Sequence, residues 1–377
     1  MKKGVALLLA GCMAFGLIGC GGKTESAAVA EKTPEERKAE TIEAIIEDMD
    51  AAEKAGQLLM AAFRKNADGT GMTVLSAEAA DALSAYHIGG VILFAENLDT
   101  EAQTQKLTAD LQAAADLGLL IGIDEEGGLV SRLNKSNIPH EVFPPAAEME
   151  DAAYAGSTIG AELSALGIHV DFAPVADVNT NPENPVIGSR AFSSEPQEAA
   201  EKVAEFIRAI EETGVSACAK HFPGHGDTAM DSHLGETYVA HDMERLRAVE
   251  FVPFREAIAA GTDMIMAGHI KTPNATTDGL PAALSAEMLD ILRNELAYEG
   301  LIITDAMDMG AIVDAYGSGE SAVMAVQAGA DIVLMPAELP EAAAALEDAI
   351  AKGEISKERV EEALWRILSL KYDKGLL

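Results

Sequence analysis

The chain has 377 residues and a formal net charge of −35, from 62 acidic and 27 basic side chains. Such a surface repels nucleic acid and anionic lipid headgroups, which argues against a phosphate-backbone-binding function. Hydrophobic residues make up 49% of the sequence, enough for the core of one large domain or two ordinary ones.

Residues 1–19 have the organisation of a signal peptide. A basic start, Lys2 and Lys3, precedes an apolar segment at residues 4–19 that is too short for a confident membrane span. The segment runs into Leu-Ile-Gly-Cys at residues 17–20, which resembles a bacterial lipobox. That resemblance implies cleavage before Cys20 and lipidation of its thiol. An ordinary secretory signal is the alternative, and Leu-Ala-Gly-Cys at residues 9–12 also fits the pattern.

Residues 20–40 form the predicted tether between the lipidated cysteine and the folded domain at residues 41–377. The beginning of this tether is rich in Gly, Ser, Ala, Glu and Lys, a composition that cannot bury a core. With Cys12 removed and Cys20 lipidated, Cys218 has no disulfide partner. The fold must therefore be stabilised by its own core although the protein is predicted to be exported.

A helical pattern at residues 34–55 is followed by eight short apolar runs, each with a helix-like segment behind it. Continuously apolar runs are typical of strands that are buried on both faces. Eight of them alternating with helices predict a (β/α)₈ TIM barrel, and a doubly wound open sheet is the alternative. Residues 356–377 predict a closing helix with Ser356 as its N-cap. The runs occupy residues 56–60, 90–94, 119–124, 170–175, 215–220, 264–269, 301–305 and 332–335.

Polar side chains cluster just after these apolar runs. Because the carboxyl ends of barrel strands converge on one face, we expect the cluster to form a site there. Its members are Asp124, Glu125, Glu126, Asp177, Lys220, His221, His269 and Asp305.

Two arginines near strand ends are candidate ligand-binding residues. Asp124 can accept hydrogen bonds from two sugar hydroxyls, and Arg132 can brace it or donate to the same ring. A structural salt-bridge network is the alternative for this pair. Arg190, in a loop shaped by proline and glycine, could project a fork of donors into the site, or it could be a lone surface arginine.

Asp305 directly follows the seventh apolar run, where a rigidly held carboxylate can attack an acetal carbon. We expect residues 306–309 to begin the next helix, so an N-cap is the alternative role for Asp305. Asp308 is a weaker candidate for the same task.

Residues 220–233 combine three histidines and two aspartates with helix-breaking proline and glycine. Asp231 stands two residues from His233, so it can orient the imidazole and stabilise its protonated form. Metal binding is the competing interpretation, but the spacing matches no common zinc signature and flexible glycines would hold a metal poorly.

Together these motifs resemble glycoside hydrolase family 3, and within it the β-N-acetylglucosaminidases of peptidoglycan recycling. The resemblance covers essentially the whole chain after the tether. The family commonly has Gln where this chain has Glu125. The motifs are Gly-Gln-Leu at 56–58, Asp-Glu-Glu-Gly-Gly at 124–128, Ile-Gly-Ser-Arg-Ala-Phe at 187–192, residues 220–233, and Ile-Thr-Asp-Ala-Met at 303–307.

The resemblance implies a role for each site residue. Asp305 is the nucleophile that forms a covalent glycosyl-enzyme intermediate, and His233 is the general acid/base, polarised by Asp231. The hydroxyls of a terminal N-acetylglucosamine would be bound by Asp124, Arg132, Arg190, Lys220 and His221.

The leading hypothesis is thus a retaining exo-β-N-acetylglucosaminidase that acts on N-acetylglucosamine-containing muropeptides or related glycans. A phosphorylase on the same substrates, a β-glucosidase of the same family, and a lipoprotein that binds sugars without turnover are the alternatives. The sequence predicts a lipid-anchored, extracytoplasmic location at the cell membrane. It predicts no cofactor, no metal, no nucleic-acid partner and no obligate protein partner.

Overall fold

The computed structural model describes residues 32–230 and 235–377. The predicted signal peptide, Cys20 and the first part of the tether lie outside the described residues. Asp231 and His233, the two predicted acid/base residues, lie outside them as well.

In the described part of the chain, eight parallel strands form a closed barrel in which each strand neighbours the next in sequence. The ring closes because Leu59 pairs with Val333 and Ile303 bridges Ile332. An open doubly wound sheet would have two free edges, so the predicted TIM barrel is confirmed. The strands are β1 (Leu59–Ala62), β2 (Gly90–Leu93), β3 (Leu120–Ile123), β4 (Val170–Asp171), β5 (Ser216–Phe222), β6 (Met264–Ala267), β7 (Leu301–Thr304) and β8 (Val333–Leu334).

Helices follow the strands and pack against one another around the barrel, as α5 does on α6 and α11 on α12. Helix α9 continues into a π-helical segment at Ile291–Glu295. The helices are α1 (Pro34–Asp48), α2 (Ala51–Gln57), α3 (Ala77–Ala85), α4 (Glu101–Ala114), α5 (Ala152–Ala165), α6 (Pro196–Glu211), α7 (Met243–Ala248), α8 (Phe251–Ala260), α9 (Ala286–Asp290), α10 (Gly310–Val313), α11 (Ser318–Ala328), α12 (Leu339–Lys352) and α13 (Lys357–Asp373).

The core lies on both sides of the strands, which explains their apolar sequences. Every residue of β2, β3, β6 and β7 is buried, because side chains pointing outwards meet helices and those pointing inwards fill the barrel. Phe222 at the end of β5 stacks on Phe251 and meets the edge of Phe254, each ring centre 5.3 Å away, and so ties the strand to α8. Cys218 is buried without a disulfide among the described residues, and burial raises the pKa of its thiol.

The amino-terminal segment differs from its prediction at three points. The single helix expected at residues 34–55 is two helices, because Asp50 caps α2 through a capping box with Glu53. Helix α1 begins at Pro34, where the helical pattern was expected to begin, so residues 34–40, which were also assigned to the tether, are helical. Residues 56 and 57 end a helix rather than begin a strand. A β-carbon on Gly56 would lie 2.0 Å from the carbonyl oxygen of Tyr86, so glycine permits this close packing.

The carboxyl-terminal helix agrees with its prediction. Ser356 accepts a hydrogen bond from the backbone N–H of Arg359 and caps α13. Of the helices in residues 32–230 and 235–377, none is long and apolar enough to cross a bilayer.

Helix α13 carries a buried lysine whose removal should stabilise the protein. Lys371 is fully buried, and its ammonium donates to Gln57 Oε1 over 2.6 Å. Burial lowers the pKa of Lys371 to about 7, whereas the same side chain in the unfolded chain has a pKa of about 10.4. The unfolded chain therefore binds a proton on Lys371 more tightly than the folded protein does, and this difference favours unfolding.

Lys371→Met is expected to raise the free energy of unfolding by roughly 1–3 kcal/mol near neutral pH. The gain should be full below the folded-state pKa, shrink as the pH rises towards about 10.4, and be absent well above that pH, where Lys371 is neutral in both states. Urea unfolding of both proteins at about pH 6.5 and about pH 10 measures it. An equal difference at the two pH values would contradict the lowered pKa.

Candidate active site

A pocket of about 500 Å³ opens at the carboxyl-terminal ends of the barrel strands. This is the face on which TIM-barrel sites lie. Its volume is large enough for a sugar ring and part of a second group. The charged and aromatic side chains in its lining include Arg64, Phe94, Asp124, Glu126, Arg132, Arg190, Lys220, His221, His225, Asp305 and Asp308.

Asp124, just after β3, lies between two cations. Its Oδ1 accepts from Lys220 Nζ and its Oδ2 from Arg132 Nη2, each over 2.8 Å. Burial alone would raise the pKa of Asp124, but the charges of Lys220 and Arg132 outweigh it and hold the pKa below its usual value. The structure thus contains the salt-bridge network that was the alternative for this pair, and this network lines the pocket.

Glu126, which its sequence position placed in the polar cluster but for which no role was predicted, lines the pocket. Arg190 forms a two-pronged contact with it, from Nε to Oε2 over 2.9 Å and from Nη2 to Oε1 over 2.8 Å. Lys220 Nζ lies 2.7 Å from the same Oε1, so it bridges Asp124 and Glu126. The side chain of Arg190 is only 16% exposed, so a lone surface arginine is the wrong description. Against the effect of burial, Arg190 and Lys220 hold the pKa of Glu126 well below its ordinary range.

Glu125 takes a different part from its two neighbours, because it supports the loop that carries Arg132. Its Oε2 accepts the backbone N–H of Arg132 over 2.8 Å and that of Leu133 over 3.0 Å. Burial raises the pKa of Glu125 in spite of these bonds. The hairpin between Glu125 and Arg132 turns at Gly127 and Gly128. Their φ angles of 82° and 56° are positive, a backbone conformation that favours glycine.

His221 is fixed in the pocket by Asp177, which is fully buried. Asp177 Oδ2 lies 2.8 Å from His221 Nδ1, and its Oδ1 accepts the backbone N–H of His225 over 2.6 Å. One buried carboxylate therefore orients the imidazole and shapes the loop behind it. Asp177 was placed in the polar cluster by its sequence position, but this supporting role was not predicted.

Asp305 follows β7 and lines the pocket as a partly buried carboxylate. Burial would raise the pKa of Asp305, but His269 and His221 act against it, and the pKa lies below its usual value. Its Oδ1 accepts the backbone N–H of Ala306 over 2.7 Å. The next helix, α10, begins only at Gly310, so the expected helix start at residues 306–309 and the N-cap alternative for Asp305 are wrong. The Asp305 side chain is therefore an ionised carboxylate near neutral pH, which is the form that can act as a nucleophile.

The loop after β5 is anchored before it reaches the residues that are not described. A β-carbon on Gly226 would lie 1.9 Å from the carbonyl oxygen of Val178, so the loop can approach this backbone only with glycine. Asp227 Oδ2 lies 2.6 Å from His241 Nε2, and Thr180 donates to Asp227 Oδ1 over 2.8 Å. Outside residues 1–31 and 231–234, no three His, Cys, Asp or Glu side chains are grouped to hold a metal ion.

The structure therefore brings all six described site candidates to one pocket: Asp124, Arg132, Arg190, Lys220, His221 and Asp305. The sequence profile of the glycosyl hydrolase family 3 N-terminal domain matches residues 51–370. The chain belongs to glycosyl hydrolase family 3. The family predicted from the motifs is thereby confirmed.

Two proteins with similar sequences are named as beta-hexosaminidases. The chain is 38% identical over 359 residues to "Beta-hexosaminidase A" of Pseudoalteromonas piscicida, covering 84% of this chain and 60% of the relative. It is 34% identical over 281 residues to a "Beta-hexosaminidase" of Stenotrophomonas maltophilia (strain R551-3), covering 71% of this chain and 82% of that relative.

A solved family 3 β-N-acetylglucosaminidase from Paenibacillus sp. str. FPU-7 superposes with a TM-score of 0.81 and 41% identity, covering 87% of this chain and 63% of that one. This chain therefore spans less than two thirds of two of the three proteins.

The contacts of Glu125 predict how the site responds to its substitution. Glu125→Gln retains a carbonyl oxygen that can accept both backbone N–H groups, so the Michaelis constant should stay within about twofold of the parent value. Glu125→Ala leaves both N–H groups buried without that acceptor, and the Michaelis constant should rise about tenfold as Arg132 loses its position. Steady-state kinetics measure this on an aryl N-acetyl-β-glucosaminide, the substrate class that the family resemblance implies. A glutamine variant as impaired as the alanine variant would show that the charge, and not the acceptor, matters.

Proposed function

We propose that the protein is a retaining exo-β-N-acetylglucosaminidase that removes terminal N-acetylglucosamine through a covalent glycosyl-aspartate intermediate. The observation that carries the proposal is the position of Asp305. Its carboxylate, with a lowered pKa, lines the same pocket as the buried cluster of Asp124, Glu126, Arg190 and Lys220. The names of the relatives support N-acetylhexosamine as the sugar.

The buried cluster is suited to holding a terminal sugar. Fixed carboxylates accept from hydroxyl groups while fixed cations donate to them, so neighbouring hydroxyls on one ring can be bound together. Lys220 and Arg190 have pKa values above their ordinary range, because the adjacent carboxylates outweigh the effect of burial. Their charges are therefore retained at every pH at which the enzyme would work. In this proposal Asp124, Arg132, Arg190, Lys220 and His221 bind the hydroxyls.

The chemical step would proceed in two displacements. The carboxylate of Asp305 attacks the anomeric carbon, the bond from that carbon to the leaving oxygen breaks, and His233 donates its proton to that oxygen. Water then attacks the glycosyl-Asp305 ester while His233 accepts the proton, which restores both groups and retains the anomeric configuration. Asp231 would stabilise the protonated imidazole. The roles of His233 and Asp231 rest on the family resemblance of residues 220–233.

Peptidoglycan fragments or related glycans are the proposed natural substrates, and the proposed location is extracytoplasmic, at the cell membrane, through a lipid on Cys20. The location rests on the resemblance of residues 17–20 to a lipobox. The substrate follows from the location, because a tethered enzyme outside the cytoplasm would meet cell-wall fragments. Metabolic labelling with a radioactive fatty acid tests the anchor. Label in the parent and its loss in Cys20→Ala would support it.

Turnover of p-nitrophenyl N-acetyl-β-glucosaminide by the full chain in detergent tests the activity. The reaction is run with and without phosphate, and the sugar product is identified. Free N-acetylglucosamine at a rate independent of phosphate is expected. N-acetylglucosamine 1-phosphate would reassign the protein as a phosphorylase, and preference for the plain glucoside would reassign it as a β-glucosidase. Sugar binding without turnover would leave a binding protein.

A further inference from the structure

The mouth of the pocket has an arginine that the proposed sugar-binding cluster does not use. Arg64 follows β1, and its guanidinium carbon lies 4.4 Å from the centre of the Phe94 ring. The guanidinium of Arg132 lies over the same ring at 5.1 Å. Both positions are within the range of a cation–π contact, so Phe94 fixes Arg64 beside the sugar-binding cluster.

Arg64 differs from the other cations that line the pocket among the described residues. Arg132, Arg190 and Lys220 are paired with the pocket carboxylates Asp124 and Glu126, and their side chains are 18%, 16% and 3% exposed. Arg64 is 45% exposed, and its acidic partner Glu96 does not line the pocket. The described contact with Glu96 uses one of the five N–H donors of the guanidinium. A ligand anion can therefore reach Arg64 without displacing the sugar-binding pairs.

We propose that Arg64 is a specificity-determining residue that binds a carboxylate on the aglycone, the group attached to the terminal sugar. This inference rests on the proposed exo-acting function. If the buried cations hold the terminal sugar, the aglycone must extend towards the mouth of the pocket, where Arg64 is exposed. A protein with a net charge of −35 repels an anionic substrate, and a local cation offsets that repulsion.

Two matched substrates isolate this interaction. They are the N-acetyl-β-glucosaminides of 3-carboxy-4-nitrophenol and of its 3-carboxamide, which differ in charge but hardly in shape. The measured quantity is the ratio of their kcat/KM values, because a general effect on catalysis cancels in it. The variants are Arg64→Met, which keeps an apolar stem on Phe94, Arg64→Lys, which keeps a charge, and Glu96→Gln, which removes the acidic partner. The control is Arg247→Met, which removes an exposed arginine paired with Glu295 outside the pocket.

The ratio of carboxylate to carboxamide is expected to fall about fivefold in Arg64→Met, to fall less in Arg64→Lys and to rise in Glu96→Gln. It should be unchanged in Arg247→Met, and added salt should lower it in the parent but not in Arg64→Met. A parent-like ratio in Arg64→Met would overturn the role of Arg64 while the N-acetylglucosaminidase activity stands. If the parent turns over neither substrate, the proposed function itself fails, and this inference fails with it.

Discussion

Replacing Asp305 with alanine is expected to lower kcat on p-nitrophenyl N-acetyl-β-glucosaminide by roughly 10³- to 10⁵-fold, or about 4–7 kcal/mol of transition-state stabilisation. The reason is that the substitution removes the atom that would form the covalent bond to the sugar. The proposed sugar-binding cluster around Asp124 and Lys220 stays intact, so a competitive sugar lactam should bind with an affinity close to that of the parent. Steady-state kinetics and calorimetric binding on the same preparations separate the two effects.

Asp305→Asn is the matched control for a merely structural role. The asparagine side chain has the same size and still offers an oxygen to the backbone N–H of Ala306, but it is a poor nucleophile. If Asp305 only fixed its loop, the asparagine variant would be nearly as active as the parent. If Asp305 is the nucleophile, both variants lose activity, and added azide should rescue Asp305→Gly with an α-glycosyl azide as product. Asparagine with parent-like activity would rule out the proposed mechanism.

The barrel could be predicted from the sequence because its strands are buried on both faces. β6 and β7 each consist of four buried residues, and such runs leave a clear apolar signal. The same signal failed at residues 56–57, since a buried helix end that leads directly into a strand also gives a mainly apolar run. The break before α2 did have a local signal, because Asp50 followed three residues later by Glu53 forms a capping box.

The candidate site could be predicted only where a motif marks it. Asp124 was given a ligand-binding role and Glu126 was only placed in the polar cluster, although the two are separated by one residue in an extended segment and so point to the same side. That alternation could have given Glu126 the same role and placed Glu125 on the opposite side. Arg64 has no comparable signal. It approaches Phe94 only because parallel pairing sets β1 beside β2, a relation between residues far apart in the sequence that no local pattern carries.

Removing the charge of Lys220 should affect both binding and stability, because this side chain bridges two buried carboxylates. Its ammonium lies 2.8 Å from Asp124 Oδ1 and 2.7 Å from Glu126 Oε1, in a side chain that is 3% exposed. In Lys220→Met the carboxylates remain buried and each keeps one arginine. We expect kcat/KM to fall by at least about 10²-fold and the free energy of unfolding to fall by roughly 3 kcal/mol at pH 7.

The pH dependence of this loss has a defined sign. Asp124 and Glu126 have folded pKa values below their ordinary values, so their pairing stabilises the protein above the unfolded carboxyl pKa of about 4 and is lost as the pH falls further. Lys220 has a raised pKa, so its contribution is full below about pH 10.4 and is lost only as the pH rises through its folded value. The deficit of Lys220→Met should therefore be largest between about pH 5 and about pH 10 and shrink on acidification.

Urea unfolding at about pH 7 and about pH 3 measures how far Lys220→Met lowers the free energy of unfolding, first where the carboxylates are paired and then where acid has weakened the pairing. Lys202→Met is the control, since Lys202 is partly buried, donates to the carbonyl oxygen of Met149 and lines no part of the pocket. Its deficit should be small and should not share the acid dependence of Lys220→Met. A pH-independent deficit in Lys220→Met would mean that lost packing of the lysine stem, and not the pairing with Asp124 and Glu126, stabilises this part of the barrel.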